Sequence, residues 1–160
     1  MSLAYIALGA NLDDPVAQIG AALTALTQWP EVRLMQSSSL YRTAPLGVSG
    51  QEDYINAVAS LQTSLSPEAL LEGLLALETR FGRRRDYHLA PRTLDLDLLL
   101  YDERCLDTPR LCLPHPRMHL RAFVLVPLCE IAPDCCIPGR GLARAWLPAV
   151  RMQRIEKLST

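Results

Sequence analysis

The chain has 160 residues, of which 49% are hydrophobic and 21% are charged. This length and composition predict one globular domain spanning residues 1–160, with a core of ordinary size. Sixteen Lys and Arg against 17 Asp and Glu leave a net charge of −1, which argues against a dedicated nucleic-acid binder because no global basic field attracts a phosphate backbone.

Apolar periodicity and capping residues predict alternating strands and helices in the first hundred residues. Asp13-Asp14-Pro15 supplies a cap and a first-turn proline for one helix, and Ser66-Pro67-Glu68 does the same for a second. In chain order the predicted elements are a strand at 3–10, a helix from about 15 to 28, a strand at 31–42, a loop at 43–52, a strand at 53–63, a helix at 66–82 and a strand at 93–101.

Prolines and glycines interrupt the remainder of the chain. The predicted elements there are short extended pieces at 105–116, a helix at 117–131 that the internal Pro127 should kink or end, a short helix at 142–147 and a closing strand at 150–158. A repeated strand–helix–strand order followed by extra elements predicts an α+β sandwich of the ferredoxin-like type, in which helices cover a mostly antiparallel sheet.

The predicted strand at 93–101 has two unlike faces. Leu94, Leu96, Leu98 and Leu100 form an aliphatic face, whereas Asp95 and Asp97 lie side by side on the other, at Cα positions roughly 6.5–7 Å apart. Two carboxylates held this close repel each other unless a cation lies between them, and hard oxygen ligands favour Mg²⁺. The alternative is a strand whose Asp side chains merely face water.

Five arginines precede this strand, at positions 80, 83, 84, 85 and 92. A guanidinium binds phosphate oxygens bidentately, so arginines beside a Mg²⁺ site indicate a polyphosphate substrate. The alternative for the arginines alone is a solvated loop or a nucleic-acid patch. No Gly-x-x-x-x-Gly-Lys motif occurs, so a nucleotide bound here would be held by metal and arginine.

Two further patterns suggest binding residues. Tyr54, Asn56 and Val58 share one face of the strand at 53–63. An aromatic ring beside an amide is a reasonable wall for a flat, hydrogen-bonding heterocycle. The alternative is an ordinary strand with no binding role. His115 and His119 are spaced i, i+4, which is compatible with a weak metal pair or with two polar loop residues.

Residues 88–99, with the sequence HLAPRTLDLDLL, resemble the signature of the 6-hydroxymethyl-7,8-dihydropterin pyrophosphokinases. Family-like segments also occur at 4–12, 41–47, 53–57 and 113–116, in the expected order, so the resemblance runs nearly end to end. It implies the ferredoxin-like architecture and transfer of pyrophosphate from ATP to the hydroxymethyl group of a dihydropterin, with release of AMP, in folate biosynthesis.

The resemblance also implies a role for individual residues. Two Mg²⁺ ions would be held by Asp95 and Asp97, and phosphate would be handled by Arg83, Arg85 and Arg92. The implied ATP-binding residues are Glu78, Leu98, His115 and Arg121, and the implied pterin-binding residues are Thr43, Leu46, Tyr54, Asn56 and Phe123. The chain departs from the family pattern at Leu89, where an aromatic residue is common, at Leu75, where a polar residue is common, and at Pro116.

Two rival functions are a metal-dependent phosphodiesterase that uses the Asp pair and a non-catalytic ferredoxin-like binding module that does not need its charge. The net charge of −1 argues against the first, which would need a broad basic surface. Five cysteines without Cys-x-x-Cys spacing, and no signal peptide or apolar run of about 18 residues, predict a cytoplasmic protein that does not enter a membrane. We expect it to act as a monomer on small-molecule substrates, without nucleic acid.

Overall fold

The computed structural model describes residues 1–11, 14–44, 53–82 and 94–159. Within these ranges the elements are β1 (Ser2–Ala10), α1 (Pro15–Thr27), β2 (Val32–Ser37), β3 (Tyr41–Thr43), β4 (Tyr54–Thr63), α2 (Pro67–Arg80), β5 (Asp95–Tyr101), β6 (Leu106–Asp107), β7 (Cys112–Leu113), a 3₁₀ helix (Met118–Leu120), α3 (Ala122–Ile131), β8 (Cys136–Ile137), β9 (Gly141–Leu142), a second 3₁₀ helix (Ala143–Val150) and β10 (Ile155–Lys157).

The main sheet is antiparallel, in the order β10-β3-β4-β1-β5, and β2 also pairs with β4. β1 therefore lies between β4 and β5 in the middle of the sheet. Antiparallel strands covered by helices confirm the predicted α+β, ferredoxin-like fold. None of the helices in the described ranges is long and apolar enough to span a membrane.

One strand predicted at 31–42 is in fact two. β2 pairs with one part of β4 and β3 with another, and Ser38 lies between them. The Ser38 hydroxyl accepts a hydrogen bond from the backbone N–H of Val58 at 2.9 Å, while the Ser38 N–H donates to the Val58 carbonyl at 2.8 Å. Since a side chain takes the place of a backbone acceptor here, the regular ladder is interrupted.

One face of the sheet packs against α1 and α2 and forms the larger core cluster. Both helices begin as the sequence predicts: the Asp14 carboxylate accepts from the Ala17 N–H at 3.3 Å, and the Ser66 hydroxyl accepts from the Ala69 N–H at 3.1 Å, each with a proline in the first turn. Side chains along β1, β4 and β5 alternate between the two faces of the sheet, and the apolar ones of the larger core cluster lie on this face.

The opposite face packs against α3 and the second 3₁₀ helix, which form a smaller cluster. α3 continues through Pro127 to Ile131, so the prediction that Pro127 could end this helix is wrong. A proline in a helix removes one backbone hydrogen bond, and in this ten-residue, apolar helix the packing of Val124, Leu125 and Leu128 in the cluster outweighs that loss.

The predicted aliphatic face of β5 ends at Leu98. A register shift between Tyr5 and Ile6 of β1 changes the alternation, so Leu100 joins Leu99 in the smaller cluster instead of following Leu98 into the larger one. The predicted closing strand at 150–158 is also shorter, because only Ile155–Lys157 pairs with β3.

Candidate active site

The floor of the candidate site consists of small residues on β1. Gly9 lies opposite Asn56 of β4 on one side and opposite Asp95 of β5 on the other, and Ala7 lies opposite Asp97. Residues directly opposite on neighbouring antiparallel strands point to the same face of the sheet. The register therefore brings the amide of β4 and the carboxylates of β5 together across a floor that has almost no side chains.

A first cavity of about 400 Å³ lies above this floor. Residues from β1, β3, β4, β5, the start of α3 and two connecting segments surround it. They are Ala7, Leu8, Gly9, Thr43, Ala44, Tyr54, Asn56, Asp95, Asp97, His115, Arg121 and Phe123. The cavity thus combines two aromatic rings and an amide with two carboxylates, a histidine and an arginine.

The orientation of the Asn56 amide is set by Thr43. The Thr43 hydroxyl donates a hydrogen bond of 2.6 Å to Oδ1 of Asn56, and both residues are buried. Nδ2 then lies over the floor: a Cβ atom added to Gly9 would be only 2.9 Å from it. Asn56 is therefore held as a hydrogen-bond donor at the bottom of the first cavity, where its Nδ2 can donate to an acceptor on the edge of a bound heterocycle.

Asp95 and Asp97 are half-buried, and both line the first cavity. Their strand is held from its outer side by Glu78 of α2, which is 2% exposed and whose Oε2 accepts a hydrogen bond of 2.7 Å from the Leu96 N–H. Mg²⁺ commonly takes one or two carboxylates and completes its shell with water and phosphate oxygens. Two adjacent carboxylates beside an open cavity suit that chemistry. In the described ranges no cluster of three or more His, Cys, Asp or Glu could hold a metal.

A second cavity of about 280 Å³ adjoins the first, and Asp97 and His115 line both. The other residues that line the second cavity come from α2, β5 and the segment around β7. They are Leu71, Leu75, Glu78, Leu96, Leu98, Thr108, Pro109, Arg110, Leu111, Cys112 and Pro116. Asp97 and His115 therefore mark the junction at which ligands in the two cavities would meet.

His115 is held at this junction by its own backbone and ring. Its N–H donates to the Leu99 carbonyl at 2.9 Å, and its Nδ1 accepts from the Arg117 N–H at 3.2 Å. Burial lowers the pKa of His115; Asp97 opposes this effect, while Arg121 and Arg117 add to it. A neutral ring whose Nδ1 is an acceptor carries its proton on Nε2, which makes Nε2 a hydrogen-bond donor.

Arg121 lies beside the carboxylates at the start of α3. Burial lowers the pKa of its guanidinium, and Asp97 is the nearby charge that most opposes the shift. Its Cζ atom lies 5.4 Å from the centroid of the Phe123 ring, within the range of a cation–π contact. A guanidinium that remains charged next to two carboxylates can bind a phosphate bridging the two cavities.

The structure brings together most of the residues predicted for the site. Eight of them line the first cavity: Thr43, Tyr54, Asn56, Asp95, Asp97, His115, Arg121 and Phe123. Glu78 and Leu98 line the second, as do Leu75 and Pro116, two of the departures from the family pattern. Arg83, Arg85, Arg92, Leu46 and Leu89 lie outside the described residues.

His119 does not pair with His115. It lines neither cavity, and its ring packs edge-on against Trp146 with the two centroids 4.7 Å apart. The i, i+4 spacing does not belong to one helix, since His119 lies in a three-residue 3₁₀ helix that begins only at Met118. The interpretation of the two histidines as a metal pair is therefore not supported.

Sequence reasoning missed the floor of the site and part of the second cavity. The signal for the floor was present, since Ile6 and Leu8 face the larger core and so Ala7 and Gly9 must face the other way. Two such small residues in a central strand leave space above them. The segment from Thr108 to Cys112 has no comparable periodicity, and only the folded chain brings it to Glu78 and Leu98.

The chain is similar to known proteins along nearly its whole length. Residues 5–133 match the family model of 7,8-dihydro-6-hydroxymethylpterin-pyrophosphokinase (HPPK). The chain is 50% identical over 155 residues to a 2-amino-4-hydroxy-6-hydroxymethyldihydropteridine pyrophosphokinase of Pseudomonas aeruginosa, covering 96% of this chain and 95% of the relative. It is 49% identical over 159 residues to the enzyme of the same name from Haemophilus influenzae, covering 99% of each chain.

Solved structures show the same fold. A Plasmodium falciparum HPPK-DHPS structure with pteroate superposes with a TM-score of 0.75 at 12% identity, covering 92% of this chain and 42% of that one. An HPPK-DHPS structure in complex with substrates gives a TM-score of 0.74 at 13% identity, with 92% and 43% coverage. The chain thus spans less than half of these solved chains, and at this identity the likeness concerns the fold alone. The family match and the two relatives show that the chain belongs to the 7,8-dihydro-6-hydroxymethylpterin pyrophosphokinase family.

Proposed function

We propose that this protein transfers the pyrophosphoryl group of ATP to the hydroxymethyl oxygen of 6-hydroxymethyl-7,8-dihydropterin and releases AMP, as a step of folate biosynthesis. The relatives in the same family carry this activity in their names. The observation that most supports it here is the register of the central strands. Asn56 and Asp95 lie on either side of Gly9, so a heterocycle wall and an acidic pair face each other across one cavity.

The pterin would occupy the first cavity. Tyr54 and Phe123 offer aromatic surfaces against which a flat ring can stack, and the Asn56 amide, oriented by Thr43, would hydrogen-bond its edge. Leu46 would complete this pocket. The hydroxymethyl group would then point toward Asp95 and Asp97, where the pyrophosphoryl group is received.

ATP would enter from the second cavity, past Glu78 and Leu98, with its phosphates at the junction formed by Asp97 and His115. The Nε2 proton of neutral His115 and the guanidinium of Arg121 would both donate to phosphate oxygens. Such preorganised donors stabilise the charge that develops in the transition state. Arg83, Arg85 and Arg92 would add phosphate contacts from outside the described residues.

Asp95 and Asp97 would hold Mg²⁺, as two ions, which would neutralise phosphate charge while the β-phosphorus is attacked. The hydroxymethyl oxygen loses its proton to solvent and forms the new bond to the β-phosphorus. The bond between that phosphorus and the oxygen bridging it to the α-phosphate breaks, and AMP leaves with that oxygen. Positioning of the two substrates by the residues of the two cavities would supply most of the acceleration. We further propose that the protein works as a single-domain monomer in the cytoplasm, without nucleic acid or membrane.

The test is AMP release from Mg²⁺-ATP with and without the dihydropterin, run beside Asp97→Ala and with EDTA. We expect AMP release to depend on the pterin and to fall by about 100-fold or more in the variant, because a group that stabilises transition-state charge is removed. EDTA should abolish turnover and excess Mg²⁺ should restore it.

Asp134→Ala is the matched control, since Asp134 is exposed, its carboxylate pairs with Arg144, and it lines neither cavity. It should retain full activity. Pterin-independent AMP release would favour a phosphodiesterase, and untouched ATP in the presence of folded protein and Mg²⁺ would favour a non-catalytic module; either result contradicts the proposal.

A further inference from the structure

Gln153 makes two hydrogen bonds that bracket Arg121. Its Oε1 accepts from the backbone N–H of Ala122 at 2.8 Å, and its Nε2 donates to the backbone carbonyl of Leu120 at 2.8 Å. One side-chain amide therefore binds the peptide groups on both sides of a single residue. Gln153 itself lines neither cavity and lies in the turn between the second 3₁₀ helix and β10.

The local backbone explains why this pair of bonds is needed. Arg121 occupies the cap position before α3 with an extended backbone, at φ −125° and ψ 115°, and its side chain does not cap the helix. The first N–H groups of a helix have no partner within the helix. Gln153 supplies the acceptor for Ala122, and it also supplies a donor for the carbonyl that ends the preceding 3₁₀ helix at Leu120.

The Arg121 side chain reaches the first cavity and the field of Asp97, and its guanidinium lies over Phe123, two residues further along α3. The direction of a side chain at a junction between two helices depends on the orientation of the two flanking peptide planes. Gln153 holds both of these planes at once.

We infer that Gln153 is a positioning residue for Arg121: it aligns the guanidinium with the phosphates of ATP without touching either substrate. This inference depends on the role proposed above for Arg121. The family model matches residues 5–133, so Gln153 belongs to a segment beyond the matched region that nevertheless controls a group at the centre of the site.

The test is a double-mutant cycle of Gln153→Ala and Arg121→Ala, with kcat and the KM for ATP measured for all four proteins. We expect Gln153→Ala to lower kcat/KM for ATP by roughly 10- to 100-fold, as small misplacements of a positioned group do. In the Arg121→Ala background the same change should have almost no effect, because a residue that acts through Arg121 has nothing left to position.

The variant Gln153→Glu separates an effect on the position of Arg121 from an effect on the stability of the fold. Its carboxylate can still accept from the Ala122 N–H and is favourable at a helix N-terminus, so the thermal midpoint should be kept. It cannot donate to the Leu120 carbonyl, so activity should still fall, again only when Arg121 is present. If Gln153→Ala does not fold, the cycle is run with Gln153→Glu.

Gln28→Ala is the control and should keep full activity, since Gln28 is exposed and its side chain donates a hydrogen bond to the hydroxyl of the neighbouring Thr27. The inference is overturned if Gln153→Ala or Gln153→Glu folds and keeps activity within about twofold of the parent, or if the loss is equal in both backgrounds. An Arg121→Ala variant with full activity would instead refute the proposed role of Arg121, and the inference with it.

Discussion

Gly9, on the floor of the site, has no room for a side chain. It is flanked by Asn56 and Asp95 in the sheet, and a Cβ atom at this position would be 2.9 Å from Nδ2 of Asn56 and 3.8 Å from Cδ1 of Tyr54. Since the Asn56 amide is also held by Thr43, it has little room to move away. Because Gly9 has no side chain, the first cavity keeps its depth and the Asn56 amide keeps its position.

Gly9→Ala should raise the KM for the dihydropterin by roughly 10-fold or more, because one extra methyl group in a closely fitted pocket has an effect of that order. The KM for ATP should change by less than about twofold, since the second cavity does not include Gly9. Steady-state kinetics with each substrate varied in turn will separate the two effects.

Gly20→Ala is the matched control, because Gly20 lies in α1 and an added Cβ meets nothing within 4 Å. It should leave both KM values unchanged and stabilise the helix by up to about 1 kcal/mol. An unchanged pterin KM in Gly9→Ala would show that the cavity has more room than the contacts indicate.

Among the secondary-structure elements, the contact between α2 and β5 determines where the acidic pair lies. β5 is at the edge of the main sheet formed by the described strands, and the Leu96 N–H bonds to Glu78 rather than to a strand. Leu96 lies between Asp95 and Asp97 in the chain. A single buried carboxylate of α2 therefore anchors the strand that holds both proposed metal ligands.

Glu78→Ala should destabilise the protein by about 1–3 kcal/mol, because it leaves the Leu96 N–H without its buried acceptor. Glu78→Gln keeps an acceptor oxygen and should recover much of that stability. Urea denaturation followed by circular dichroism measures both free energies of unfolding, and AMP release reports whether Asp95 and Asp97 remain aligned.

Glu72→Ala is the control on the same helix. Glu72 forms an ion pair with Arg110, but the two side chains are 58% and 66% exposed, and such surface pairs contribute about 1 kcal/mol at most. A loss of stability in Glu72→Ala equal to that in Glu78→Ala would show that the Leu96 bond is not the important contact.

For the whole molecule, the position of the site follows from how the two faces of the sheet are covered. Among the described residues, α1 and α2 pack on one face, and α3 and the second 3₁₀ helix pack on the other. The first cavity lies on this second face, over Ala7 and Gly9. The last segment of the chain reaches both sides of that cavity, through Gln153 to Arg121 and through the pairing of Ile155 with Thr43.

The packing around α3 and the second 3₁₀ helix also predicts how the free energy of unfolding depends on pH. His119 is 6% exposed, packs on Trp146, and its Nδ1 has no hydrogen-bond partner among the described residues. Burial lowers its pKa below the ordinary value of 6.5, and Arg140 adds to the shift. The unfolded chain therefore binds a proton more readily than the folded one, and stability rises with pH in that range.

The contribution of His119 to the free energy of unfolding should be fully present above about pH 6.5 and be lost as the pH falls below that value toward the folded pKa. His119→Phe keeps a ring against Trp146 but cannot take up a proton. Urea denaturation between pH 7.5 and 5.5 should show a smaller loss of stability in the variant than in the parent. An equal loss of stability in the variant and the parent would contradict the prediction, because it would show that His119 has the same pKa in the folded and unfolded chains.

The sequence by itself determined the type of each main element and which strand faces carry the polar side chains of the candidate site. Caps at Asp14 and Ser66 begin both long helices, and alternation on β4 and β5 places Asn56, Asp95 and Asp97 away from the larger core. These features depend on neighbours within a few residues, because helix capping and side-chain alternation are local properties of the backbone. For the same reason they could be predicted without any knowledge of tertiary contacts.

Only the tertiary structure decided which of these elements meet, and in what register. It placed Gly9 between Asn56 and Asp95, turned Leu100 away from Leu98 through a register shift, and brought Gln153 to the backbone around Arg121. It also separated His119 from His115. Each of these outcomes depends on pairing between distant segments or on packing around them, and the registers and contacts involved are fixed only when the whole sheet and both of its covering layers have formed.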